Sequence, residues 1–137
     1  MRLWHKDLIA VLPDKQLRGQ WRECCLIAKG LRDGTLNHLL VNKVKQYPTS
    51  HLFAYGCFVI DEMRARGYEV NEDTFFRYFP EWLDVEELPR EICDVFAGWH
   101  NDRYLRQCYY NLQEKYDCGG IPEHEWLRLE AVVDERL

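Results

Sequence analysis

Apolar side chains recur at spacings of three and four along most of the chain. Between Asp14 and Leu31, Leu17, Trp21, Cys24, Cys25, Ala28 and Leu31 share one face of a helix of about four turns. Asp14 is placed to cap that helix, and Pro13 stops any helix from running in unbroken. A short second helix is predicted from Asn37 to Tyr47, with Leu39, Leu40, Val41 and Val44 apolar and Pro48 closing it. Thr49 or Ser50 caps the next helix, whose apolar residues are Leu52, Phe53, Cys57, Ile60 and Met63; Gly67 follows its end near Arg66. Asn71 opens a brief helix carrying Phe75, Phe76 and Phe79. Residues 81–99 read as irregular turns anchored by Trp82, Phe96 and Trp99. Asn101 or Asp102 starts a helix with Leu105, Cys108, Tyr109, Leu112 and Tyr116 inward, stopped by Gly119-Gly120. Pro122 leads the last helix, with Trp126, Leu129, Val132 and Val133 inward. No stretch alternates as a strand does. The expected fold is all-α: residues 1–137 as a single compact domain, a bundle of three long helices with shorter helices between them.

The polar side of the first helix changes the picture. Arg18, Arg22 and Lys29 form one positive row at spacings of four and seven. Glu23 has Gly19, Gln20, Leu26 and Ile27 as helical neighbours, none of them basic. Gly19 costs about 1 kcal/mol against alanine in a helix and clears the space one turn before Glu23. A bare carboxylate over a gap, beside a positive row, suits an anion-handling site. The same pattern also fits a solvated face whose Glu23 pairs with an arginine from elsewhere.

Charge divides along the chain. The net charge is −5. Residues 1–67 hold eleven Lys/Arg and six Asp/Glu, whereas residues 68–137 hold seven and seventeen. Such asymmetry hints at a polyanion-facing surface, although the overall acidity opposes non-specific nucleic-acid binding. No apolar run approaches the roughly 20 residues of a membrane span, and the first residues lack the apolar segment of a signal peptide, so a cytoplasmic location and no membrane contact are expected. The six cysteines show neither Cys-x-x-Cys spacing nor metal-ligand spacing with histidine, so they are expected to be buried reduced thiols. That leaves a thiol or metal enzyme without support in the sequence.

Leu12, Asp14, Leu17 and the triplet Trp21-Arg22-Glu23 resemble the first helix of the pyrimidine-dimer DNA glycosylases, the phage endonuclease V family. Val59 to Val70, with its Arg-Gly-aromatic exit, is similar to that family's middle helix, and His100 to Tyr116 resembles its last long helix. The opening Met-Arg-Leu-Trp-His looks like a branch of the family whose activity is unproven. Residues 73–99 have little counterpart. The resemblance implies an all-α fold and excision of damaged pyrimidines from double-stranded DNA by a monomer that needs no metal or organic cofactor.

It also implies a chemistry. In the family the terminal α-amine attacks the sugar C1′ and forms a Schiff base, from which abasic-site lyase action follows. An α-amine has an ordinary pKa near 8 against about 10.4 for lysine, so much more of it is neutral and nucleophilic at pH 7. By position, Glu23 carries over as the carboxylate that moves protons and Arg22 as a phosphate contact; with that triplet in register the free amine belongs to Met1, one residue longer than the family pattern. Arg18 and Lys29 extend the cradle from the positive row, and Arg2 joins it beside the amine. Two departures stand out: Leu26 occupies the place of a further family arginine, and Arg2 follows Met1 where the family exposes a small residue. Lys6 is a fallback amine. Trp4-His5 and His100 read either as a proton shuttle or base-stacking group and a phosphate contact, or as anchors. Arg64 and Arg66 read as a second DNA contact or as partners of their helix end. The alternative function is a catalytically inactive interaction or weak nucleic-acid-binding module of the same fold.

Overall fold

A computed structural model describes residues 1–81, 83 and 88–137. Trp82, one of the predicted anchors, lies outside the described residues. Five α-helices follow in order: α1 (Asp14–Asp33), α2 (Thr49–Ala65), the single turn α3 (Asp73–Phe76), α4 (Asp102–Asp117) and α5 (Glu123–Arg136). Short 3₁₀ segments lie at Lys6–Val11, Asn42–Gln46 and Ile92–Asp94. The all-α class holds among the described residues. Four helices exceed three turns where three long ones were expected, because α5, at 14 residues, is nearly as long as α4, at 16. No described helix is long and apolar enough to cross a membrane.

The helix starts differ from the sequence expectation in one consistent way. Asp14 does not cap α1; it is the first helical residue, after Pro13 in an extended conformation. Its own N–H donates to Glu125 Oε2 of α5 at 3.0 Å, so a carboxylate remote in sequence performs the capping. The Asp14 side chain instead accepts from the Tyr68 hydroxyl and faces Arg66 at 3.9 Å. Thr49 and Ser50 likewise lie inside α2, with Pro48 at the cap position and no side-chain cap bond. At three of these helices a proline immediately precedes the first turn, which fixes the entry without a side-chain acceptor. Asn101 does cap α4, accepting from Tyr104 N–H at 2.9 Å, and Asn71 accepts from Asp73 N–H at 3.1 Å.

The core forms where α1 lies along α2, with α4, α5 and the first 3₁₀ segment closing it. From α1 come Leu17, Cys24, Ile27 and Ala28; Trp21, Cys25 and Leu31 are half-buried at its margin. From α2 come Leu52, Tyr55, Val59, Ile60 and Met63. Gly56 lets α3 approach: a Cβ there would stand 2.3 Å from the Phe75 ring, which is itself fully buried. Phe96 and Trp99 anchor the irregular segment, packed with His100, Tyr47 and Tyr55. The predicted helix over 37–47 is a turn followed by the Asn42–Gln46 3₁₀ segment; Val41 and Val44 are buried but Leu39 and Leu40 face solvent. All six cysteines are free: Cys24 and Cys108 are buried and Cys25 and Cys57 half-buried, while Cys93 and Cys118 are exposed, contrary to expectation, because both fall outside the long helices.

Candidate active site

Residues 1–5 form an arm whose backbone from Arg2 to Trp4 is bonded at five atoms to side chains of α1, α2 and α4. Arg2 N–H donates to Glu23 Oε2 at 3.2 Å. Arg2 O accepts from Gln20 Nε2 at 2.9 Å. Tyr104 Oη donates to Leu3 O at 2.6 Å. Trp4 N–H donates to Gln20 Oε1 at 2.8 Å, and Trp4 O accepts from the buried Tyr55 hydroxyl at 2.6 Å. Burial pushes the Tyr55 and Tyr104 hydroxyls above their ordinary values, so both stay protonated and able to donate. Leu3 and Trp4 sink into the core beneath these bonds.

The result is a fixed position for the first amine. Met1 N lies 4.0 Å from Glu23 Oε1. Among the described residues no guanidinium pairs with Glu23; its other oxygen takes the Arg2 N–H and lies 3.4 Å from Gln20 Nε2. Amine and carboxylate share a cleft of about 240 Å³ lined by Met1, Arg2, Trp4, Glu23, Leu40, Asn111 and Lys115. At about 30 Å³ for each water, that is room for roughly eight waters or one sugar-sized group.

Of the four predicted cations, Arg2 lines this cleft and Arg18, Arg22 and Lys29 do not. Arg18 and Arg22 line a second cleft of about 510 Å³, between the start of α1 and the start of α5, with Lys15, Asp14 and Glu125. Arg18 also lies over the Tyr68 ring at 5.4 Å. Arg22 and Glu23 are consecutive, so adjacent positions of α1 serve the two clefts. Lys29 is exposed further along α1 and lines neither. The Arg2 guanidinium turns inward, 5.4 Å from the Trp4 ring and 5.9 Å from Tyr104. Lys6 is far from the role of a fallback nucleophile. Burial lowers its pKa, but Nζ is held by the carbonyls of Cys93 and Val95 at 2.5 and 2.7 Å. Arg64 pairs with Glu72 and Val70 O, and Arg66 with Glu62, Leu12 O and Ala10 O; both are tied to the protein itself.

His5 and His100 are anchors of the arm. Their rings stack at 5.1 Å; His5 Nδ1 accepts from Asp7 N–H and His100 Nδ1 from Lys6 N–H. Sequence reasoning missed Gln20, Asn111 and Lys115. Gln20 occupied a position counted as polar, yet it is fully buried. Asn111 and Lys115 are four apart on α4, one turn from each other on the face toward the arm, and only that spacing beside the inward Cys108 and Leu112 hinted at them. Among the described residues, no group of three His, Cys, Asp or Glu is placed to hold a metal ion.

No curated protein and no solved structure gives a match. The model of one family, described as pyrimidine dimer DNA glycosylase, matches residues 1–76, more than half of the 137. The matched span contains the arm, the whole of α1 with Glu23, and the α2 core that holds them together; by that match the chain belongs to the pyrimidine dimer DNA glycosylase family.

Proposed function

We propose that residues 1–137 act as one domain that excises damaged pyrimidines from double-stranded DNA, with abasic-site lyase action. The observation that carries the reading is the 4.0 Å approach of the first amine to Glu23 in an open cleft. The Met1 ammonium gives up a proton to Glu23 and attacks C1′, forming the N–C1′ bond as the bond from C1′ to the base breaks, and the departing base takes a second proton from the nitrogen, directly or through water. Glu23 then returns the proton to the ring oxygen as the C1′–O4′ bond opens, leaving a Schiff base. Removal of a C2′ proton expels the 3′ phosphate, and water hydrolyses the imine to free the amine. Lys115 and Asn111 line the same cleft and contact the sugar there, and Arg22 and Arg18 take phosphates in the other cleft along α1.

Borohydride reduction on a duplex carrying an abasic site or a cyclobutane dimer tests this. A covalent adduct is expected. Acetylation of the terminal amine should abolish it, and Glu23→Gln should slow its formation about 100-fold or more. Absence of an adduct on both substrates removes the enzymatic reading. Leu26, 56% exposed about one turn beyond Glu23, favours a second reading, since no cation stands there. A binding module of the same fold would hold the damaged duplex and leave no adduct.

A further inference from the structure

The junction between the arm and the irregular segment holds ionisable side chains that the chemistry above leaves unused. Lys6 is 6% exposed, yet among the described residues no carboxylate pairs with it; its ammonium is held by Cys93 O and Val95 O. Three histidines from three parts of the chain stand around it. His5 ends the arm, His51 lies in the first turn of α2, and His100 comes just before α4. Each accepts a main-chain N–H through Nδ1: His5 from Asp7 at 3.1 Å, His100 from Lys6 at 2.9 Å and His51 from Phe96 at 3.0 Å. A doubly protonated imidazole has only donors, so all three bonds exist only while the rings are neutral.

The segment on the far side is strained as well as tied. Phe96 is fully buried at φ 52°, in the left-handed region that a bulky side chain rarely adopts. Such a residue stays there only while its surroundings hold it. The charges make the junction responsive. Burial first, and then the Lys6 ammonium, disfavours a proton on the rings; His5 adds to this at His100, and Arg136 of α5 at His5. Asp7 opposes it at His5 and Asp94 at His51. Asp7 is shared with Arg136, which also holds Asp102. The other ionisable groups facing the cluster are Cys93, Tyr47, Tyr55 and Tyr104.

We infer that Lys6, His5, His51 and His100 form a clasp that acid opens, freeing residues 5–7 and 93–96 from each other while α1 and α2 stay packed. A freed histidine takes a proton near pH 6.5, whereas a held one cannot take it without losing its N–H. Each histidine freed should therefore raise the opening constant about tenfold between pH 7.5 and pH 5.5. Once open, the arm is held by its Gln20, Tyr55 and Tyr104 bonds alone, and the Met1 amine is no longer fixed against Glu23. That last consequence rests on the DNA-repair reading above; the clasp does not.

Backbone hydrogen exchange in urea series at the two pH values tests the clasp without substrate. After correction for the intrinsic pH dependence of exchange, the amides of Lys6, Asp7 and Phe96 should lose about tenfold or more of their protection at pH 5.5. Val59 and Ile60 in α2 should remain better protected at both pH values, and only they should show the full urea dependence of global unfolding. His5→Asn, His51→Asn and His100→Asn together keep an acceptor oxygen at each place and leave nothing to protonate, so the acid loss should vanish. If that triple variant does not fold, His51→Asn alone should remove about tenfold of the loss. His124→Asn, an exposed histidine on α5, should respond as wild type. The clasp is overturned if the three amides ignore pH, if they exchange only with the urea dependence of Val59 and Ile60, or if the asparagine variants keep the whole acid loss. Borohydride trapping separates the two claims. Adducts from a protein whose exchange ignores pH remove the clasp alone, and an acid-opened clasp in a protein that gives no adduct removes the chemistry alone.

Discussion

Gln20 belongs to α1 but spends all of its hydrogen-bonding capacity outside the helix ladder. Its amide nitrogen serves Arg2 O and approaches Glu23 Oε2; its oxygen accepts from Trp4 N–H and lies 2.9 Å from the Tyr55 hydroxyl. One side chain thus aligns the arm and steadies the carboxylate that faces the arm's first amine. Gln20→Met keeps the length and loses both functions. Each buried backbone group left unpaired costs about 1–3 kcal/mol, so the variant should be destabilised by roughly 2–4 kcal/mol in urea unfolding. Adduct formation should slow by more than the folded fraction explains, since the amine and Glu23 no longer share a fixed separation. A folded Gln20→Met protein trapping at the wild-type rate would show that the amide is structural only.

The arm and the 3₁₀ segment that follows it form one element, and two histidines tether it. Both rings accept an N–H through Nδ1, so both must be neutral at that nitrogen. Burial lowers the pKa of His5, against the opposing charge of Asp7 at 3.9 Å, and it lowers that of His100 further, with help from His5 and Lys6. Other charges around the pair are Arg136, which holds Asp7 at 3.1 Å, and Asp94, which acts on Lys6. A histidine whose folded pKa is depressed binds its proton more readily when unfolded. The stability it confers is complete above the unfolded value near 6.5 and is lost as pH falls through the folded value. Unfolding midpoints should therefore drop from pH 7.5 to pH 5.5, and His100→Asn should shrink the drop; a flat wild-type profile would contradict the tether. The sequence revealed the helices because their periodicity is local, and it singled out Glu23 because no residue three or four away is basic and because Trp21-Arg22-Glu23 resembles the family's triplet. It could not reveal the tether or Gln20. A polar residue on the core side of a helix looks like an interruption until its partners, here two backbone groups of the arm and a tyrosine of α2, are brought to it by the fold. The capping residues misled for the same reason: Asp14 had a better partner in Tyr68, and Glu125 reached its N–H from 111 residues away.

For the whole molecule, a net charge of −5 has to be reconciled with a polyanionic substrate. The reconciliation is local. At 0.1 M salt charges are screened beyond about 10 Å, so what matters is which charges line the clefts rather than the total. The cleft of Met1 and Glu23 carries Lys115, a second cleft beside Leu39 and Leu40 carries Lys43 and Arg103, and the third carries Arg18, Arg22 and Lys15 against Asp14 and Glu125. Asp14 is already occupied by Tyr68 and Arg66, and Glu125 by the start of α1, which leaves their opposition to a phosphate partly spent. Much of the acid lies elsewhere, as at Glu123, Asp134 and Glu135, exposed on α5. Binding should therefore be modest in strength yet clearly salt-dependent. With about three to five phosphates neutralised, the slope of log K against log salt for a lesion duplex should fall between about −3 and −4.5. Lys115→Gln should make that slope shallower by about one and weaken binding alike on different sequences. Lys29→Gln, on a part of α1 that lines none of these three clefts, should leave the slope where it is. If the two variants shift the slope equally, the duplex is held by the general charge of the first helix and not by the clefts that flank the amine.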